Sequence, residues 1–173
     1  GSPLARLDQT LWSAEKILKE NHTTFTPGIN EELGATAVWG SQLGTLYEGH
    51  EYDGIFGIWY GKGPGVDRSI DCLKHAHAAG TDKNGGYLAI VGDDHACVSS
   101  TLGHQSEQAL ASADIPTIYP SSIEEYLEFG MRGFEMSRYT GGVVGLKCVA
   151  EIVESSASVT LKKYAQAKTP KHQ

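Results

Sequence analysis

Positive charge is scarce in this chain. Its 14 lysines and arginines face 21 aspartates and glutamates, a formal net charge of −7, and the pI is near 5.4. A surface of that sign repels phosphate backbones and anionic lipid headgroups, which excludes nucleic acid and a membrane surface as main partners. The seven histidines relieve the repulsion only at mildly acidic pH. Cysteine is also scarce: Cys72, Cys97 and Cys148 are odd in number, far apart and in no C-x-x-C pair. That usage suits a reducing compartment and carries no zinc or iron–sulfur signature. No apolar run approaches the ~20 residues that span a bilayer. No signal-peptide pattern opens the chain, and the expected location is cytoplasmic. Internal repeats, low-complexity tracts and linkers are missing as well.

What is present is an ordinary globular composition: 173 residues, 40% hydrophobic and 20% charged. A chain of this length buries a real core. One domain is expected over 1–164, followed by a polar, basic tail over 165–173. The chain opens on Gly1-Ser2 without an initiator methionine, as a cloning remnant or as the cut end of something longer.

Leu4, Leu7, Leu11, Ile17 and Leu18 recur mostly at helical spacing, and Pro3 suits a first turn, which predicts a helix over 4–19. Thr23 to Thr26 is a short β-branched segment closed by Pro27-Gly28. Asn30, with Glu31 and Glu32 behind it, reads as the N-cap of a second helix running through Gly40. That helix is full of small residues and can lie close to a neighbour. Strands are predicted over 52–60, 87–91, 115–119 and 143–149, helices over 66–79, 106–113 and 123–137, and an irregular or edge strand over 152–161. The run Tyr87-Leu88-Ala89-Ile90-Val91 is apolar throughout, as a parallel strand covered on both faces should be. Strand and helix alternate, so the predicted fold class is α/β: three layers, a mainly parallel sheet, helices on both faces and right-handed crossovers.

Phe56 to Arg68 concentrates the features that attract chemistry. It reads as a buried strand, a glycine-rich turn holding Lys62, and a helix beyond. Ligands of open α/β sheets bind at the carboxyl ends of strands, and Gly61, Gly63 and Gly65 would let backbone approach one closely. A tight connector with a solvated lysine explains the glycines equally well. A P-loop requires G-x-x-x-x-G-K followed by Ser or Thr; Gly57 precedes Gly61-Lys62 with one residue too few, and Gly63 follows the lysine. A dinucleotide fingerprint requires G-x-G-x-x-G, whereas Pro64 interrupts Gly61-Lys62-Gly63-Pro64-Gly65 and removes a donor. Both phosphate motifs fail. Gly92-Asp93-Asp94-His95 ends a strand where adjacent acids could bind Mg²⁺, yet loop carboxylates are more often structural. His95, Cys97 and His104 match no standard zinc spacing, and His75 and His77 point different ways on a helix. Glu31 is either a solvated first-turn acid or a group against which a cofactor packs.

Several long segments resemble one family. Ile29 to Gln42, Phe56 to Arg68, Gly92-Asp93-Asp94 through Ser99-Ser100 to His104-Gln105-Ser106-Glu107, and Ser137-Arg138-Tyr139 with Val144-Gly145-Leu146-Lys147-Cys148 are similar to blocks of the large single-chain indolepyruvate ferredoxin oxidoreductases. The likeness spans residue 1 to about 159, in their pyrimidine-binding (PYR) domain. Gly1-Ser2-Pro3-Leu4 resembles the block after that domain's first strand, which implies a fragment whose first strand is missing. Those enzymes use thiamine diphosphate to decarboxylate an aryl 2-oxo acid oxidatively to an acyl-CoA, passing electrons through iron–sulfur clusters to ferredoxin. The resemblance implies that Glu31 is the catalytic, cofactor-binding acid that bonds N1′ of the aminopyrimidine. It implies cofactor contact at Gly61 and Gly63, and substrate contact at Ser2 and Lys62.

The implied diphosphate site, a Gly-Asp-Gly motif with a later asparagine that holds Mg²⁺, belongs to a partner PP domain. Here the matching tripeptide is Gly92-Asp93-Asp94, and Asn84 is the last asparagine. Cysteine clusters for electron transfer are absent. No metal ligands are therefore assigned to this chain; Mg²⁺ and iron–sulfur clusters belong to the parent enzyme, an implied homodimer. Alone the chain is expected to be inactive. The alternative is a non-catalytic α/β binding or regulatory module.

Overall fold

The computed structural model describes residues 3–161; Ser2 and the tail over 165–173 lie outside the described residues. Four strands, β1 (Phe56–Lys62), β2 (Gly86–Asp93), β3 (Thr117–Ile118) and β4 (Val143–Val149), form one all-parallel sheet in the order β1-β2-β4-β3. Among the described residues seven α-helices accompany them: α1 (Leu7–Ser13), α2 (Glu15–Glu20), α3 (Glu31–Ser41), α4 (Gly63–Ala79), α5 (Ser106–Ser112), α6 (Ile123–Thr140) and α7 (Ala150–Val153). This is the expected three-layer α/β fold.

Side-chain alternation on β2 divides the core. Tyr87, Ala89 and Val91 enter one cluster with Ala35 of α3, Val66 and Leu73 of α4 and Leu110 of α5. Leu88 points the other way and joins Val144, Leu146 and the apolar side of α6. The chain crosses from β1 to β2 over α4 and from β2 to β3 over α5, then returns from β3 to β4 over α6. A right-handed crossover in the reversed direction has to use the opposite face. Tyr87 Oη donates to the Ala35 carbonyl at 3.2 Å, and the buried Gln42 amide bonds Gly86 N–H and Ile55 C=O, both at 3.0 Å. These bonds tie α3 to the sheet.

Some boundaries differ from expectation. The helix over 4–19 breaks at Ala14, and neither α1 nor α2 has a buried residue; no packed face holds them as one rod. The strand expected over 52–60 pairs only from Phe56 and continues to Lys62, and that over 115–119 shrinks to Thr117–Ile118. Helix α6 runs on to Thr140 and ends on Gly141 at φ 73°, a left-handed cap that glycine adopts easily. The strand over 152–161 is absent: one helical turn, Ala150–Val153, precedes irregular chain.

The glycine-rich turn is not a turn. β1 passes straight into α4, with extended Lys62 (φ −76°, ψ 163°) as N-cap and proline in the first helical turn. Pro64 suits that position because its missing N–H would have no helical partner there. Among the described residues no helix is long and apolar enough to cross a membrane.

Candidate functional site at the starts of α3 and α4

The first turn of α3 is held from several sides. Asn30 Oδ1 accepts the Leu33 N–H at 2.8 Å, as an N-cap should. Trp59, buried on β1, donates Nε1–H to the Glu31 carbonyl at 2.9 Å. Its ring lies on Gly34, where an added Cβ would meet the indole at 3.6 Å, and on Gly61, where a Cβ would come within 2.5 Å of the ring. Gly61 is therefore explained by Trp59. Across the helix pair, a Cβ on Gly65 would fall 2.6 Å from Glu31 Cγ. The Glu31 side chain thus lies along the opening turn of α4, where only glycine leaves room.

The fold brings Glu31 and the glycine segment, 30 residues apart in sequence, into contact. Glu31 is exposed, and among the described residues its carboxylate takes no hydrogen bond or ion pair. On the same segment Ile29 is 91% exposed and Leu33 50%.

Lys62 and Gly63 have occupants from within the chain. Lys62 Nζ donates to the Ser99 carbonyl at 2.8 Å. A Cβ on Gly63 would lie 2.3 Å from His104 Cβ, so this glycine accommodates a histidine. His104 Nε2 sits 3.1 Å from Asp67 Oδ2 and its Nδ1 3.1 Å from the Leu102 carbonyl. The loop that carries Ser99 is organised by Asp94, whose carboxylate accepts from Val98 N–H, Ser99 N–H and Ser100 O–H at 2.8–3.0 Å. These donors, the Ser99 N–H foremost, hold its pKa below the usual carboxylate range, with Lys62 assisting.

Beside it, Asp93 accepts from Ser106 N–H at 2.9 Å and Ser106 O–H at 2.6 Å and so seats α5. Its Oδ2 lies 3.4 Å from Lys147 Nζ, which also bonds Glu107. Lys147 is 2% exposed and Asp93 0%. Burial pushes the Glu107 pKa up, but the Lys147 bond and charge outweigh it and the net shift is downward. Both acids of the Gly92-Asp93-Asp94 segment therefore serve internal bonds. Among the described residues no group of three His, Cys, Asp or Glu side chains could hold a metal ion.

The end of β2 is covered from above. A Cβ on Gly92 would meet Leu4 at 3.0 Å and Pro3 at 3.1 Å, so the segment before α1 closes over the strand. A cleft of about 450 Å³ between residues 42–46 and 79–84 opens near the amino end of β2, away from Glu31. Sequence reasoning missed Trp59 as the positioning residue and Lys147 as a buried cation. The signal for Lys147 was there: it is the one charge in the apolar run Val143–Val149. No family model matches this chain, and no curated protein does.

Proposed function

We propose that this chain is the PYR-domain segment of a thiamine diphosphate-dependent oxidoreductase that acts on indolepyruvate or another aryl 2-oxo acid. The observation that carries the reading is the placement of Glu31: a carboxylate without a hydrogen-bond or ion-pair partner among the described residues, on a helix start fixed by Trp59 and against Gly65. A flat aminopyrimidine needs a carboxyl at its ring nitrogen, and Glu31 offers one. When bound, thiamine diphosphate supplies the carbon nucleophile that adds to the 2-oxo group. In this chain Glu31 would hold the proton at N1′.

Lys62 would meet a substrate carboxylate only by releasing Ser99. Diphosphate, Mg²⁺, CoA and electron transfer to ferredoxin fall to the rest of the parent enzyme. The test is Glu31→Gln in the full protein encoded by the reading frame that contains this chain. Oxidation of the 2-oxo acid should fall at least ~100-fold, the scale of a lost acid–base group, with the fold unchanged by circular dichroism. Retention of most of the activity would sink the assignment and make Glu32 the next candidate. The isolated chain should show no turnover and no tight, Mg²⁺-dependent binding of thiamine diphosphate by calorimetry.

One feature favours a non-catalytic binding module instead: Leu4, Pro3 and His104 fill the strand ends where α/β enzymes usually hold ligands. The surrounding reading frame discriminates. A downstream Gly-Asp-Gly segment with a later asparagine, and cysteine clusters, support the enzyme.

A further inference from the structure

The segment that joins β2 to α5 has little of its own to hold it down. Residues 95–103 are exposed except for half-buried Ser100, so no apolar side chain, Val98 and Leu102 included, anchors the segment in the core. Cys97 sits at φ 55°, a left-handed backbone that is costly for a residue other than glycine. A segment with so few buried contacts opens readily unless specific bonds restrain it. Asp94 gathers Val98, Ser99 and Ser100 into a local turn, which shapes the segment without attaching it to its neighbours. Among the described residues two side-chain bonds fasten it to β1 and α4: Lys62 to the Ser99 carbonyl, and His104 to Asp67.

His104 makes the second of these bonds sensitive to protonation. Its side chain is pressed onto the first residue of α4, where a Cβ on Gly63 would lie 2.3 Å from its own. In that seat both ring nitrogens face acceptors: Nε2 is 3.1 Å from Asp67 Oδ2, and Nδ1 is 3.1 Å from the Leu102 carbonyl. A neutral imidazole has a single N–H and satisfies only one of them, whereas the protonated ring donates to both. Among the described residues Asp67 is the charged group within ion-pair distance of the ring. The other charged groups of the surrounding elements are engaged elsewhere or turned away. Arg68 follows Asp67 on α4 and faces another side, and Asp71 pairs with His75. Lys62 bonds Ser99, Asp94 holds the segment's own donors, and Glu107 bonds Lys147 with His95 near it.

We infer that His104 is a pH-responsive latch that, when protonated, fastens the β2–α5 segment across the start of α4. On losing its proton the ring gives up one of its two acceptors, and a bond kept to Asp67 is no longer charge-assisted on both sides. Attachment is therefore fullest in mildly acidic solution and weakens as pH rises across about 5 to 8, where histidine changes charge. Once the latch is loose, Lys62 alone ties the segment to β1, and the Ser99 carbonyl leaves its amine more often. That an amine so freed would meet a substrate carboxylate rests on the function proposed above; the latch itself does not.

Hydrogen exchange at the Val98 and Ser99 amides, followed by NMR on the whole chain and corrected for intrinsic pH dependence, tests it. Protection should fall about 3-fold between about pH 5.5 and 8, the scale of a partly solvated ion pair. Asp67→Ala, at an exposed helical position, removes the acceptor, and His104→Gln removes the proton that titrates. Both should abolish the pH dependence with unchanged circular dichroism, and Asp67→Ala should hold protection at or below the wild-type level of about pH 8. In the full protein the KM for the 2-oxo acid should fall over the same range, and His104→Gln should flatten that profile. Protection that titrates while KM does not upholds the latch and sinks the role of Lys62. Wild-type protection that is flat with pH, or that titrates equally in Asp67→Ala, overturns the latch.

Discussion

Replacing Lys147 with methionine should lower stability by about 3–5 kcal/mol, the usual result of removing one member of a buried ion pair. The magnitude follows from what remains. Asp93 is fully buried, and without Lys147 its carboxylate keeps only the two Ser106 donors. Desolvation of that charge is then uncompensated. Methionine keeps the length and most of the volume of lysine, so a cavity contributes little. For a domain near this size, 3–5 kcal/mol corresponds to a drop of roughly 10 °C in melting temperature. Urea unfolding at pH 7, followed by circular dichroism, gives the number directly. The double variant Lys147→Met/Asp93→Asn should recover most of the loss, because both buried charges leave together. Glu107→Gln should be milder, since the Glu107 side chain is 41% exposed. A loss below about 1 kcal/mol for Lys147→Met, the range of surface pairs, would refute the reasoning and mean that water reaches Asp93.

Two further outcomes rest on the same geometry. Gly61→Ala drives a Cβ into the rigid Trp59 ring at 2.5 Å and should cost about 1–3 kcal/mol by overpacking; Gly65→Ala meets only the flexible Glu31 side chain and should cost less while displacing its carboxyl. Equal losses in urea titrations would contradict this. Acid should also destabilise the fold. Asp94, Glu107 and Glu125 all have pKa values below their ordinary ones in the folded state. Depressed carboxylates contribute stability that is complete above the unfolded value, near pH 4, and lost as pH falls through the folded value. Urea midpoints measured from pH 7 to about 2.5 should decline across that window, and a flat profile would count against these bonds.

Part of this was legible before folding. The cap at Asn30, the apolar run of β2, the polar-capped α6 and the parallel α/β class follow from local chemistry and periodicity, which neighbours seldom override when a segment is long and regular. The connection from β1 to α4 was not legible, because glycines at 61, 63 and 65 read locally as a loop. What makes them glycines is Trp59, His104 and Glu31, two of which are distant in sequence. Lys147 was obscure for the same reason. A lysine in a strand looks exposed until Asp93 and Glu107 are placed around it.

The sequence by itself determined the fold class, the starts of α3 and α6 and the net negative charge, since these depend on spacing and side-chain type along one stretch of chain. Only the tertiary structure decided that Glu31 lies on Gly65 and that Asp93 and Asp94 are taken up by internal bonds. Each of these depends on which distant residues fill the space beside a backbone, and that is set by packing rather than by pattern.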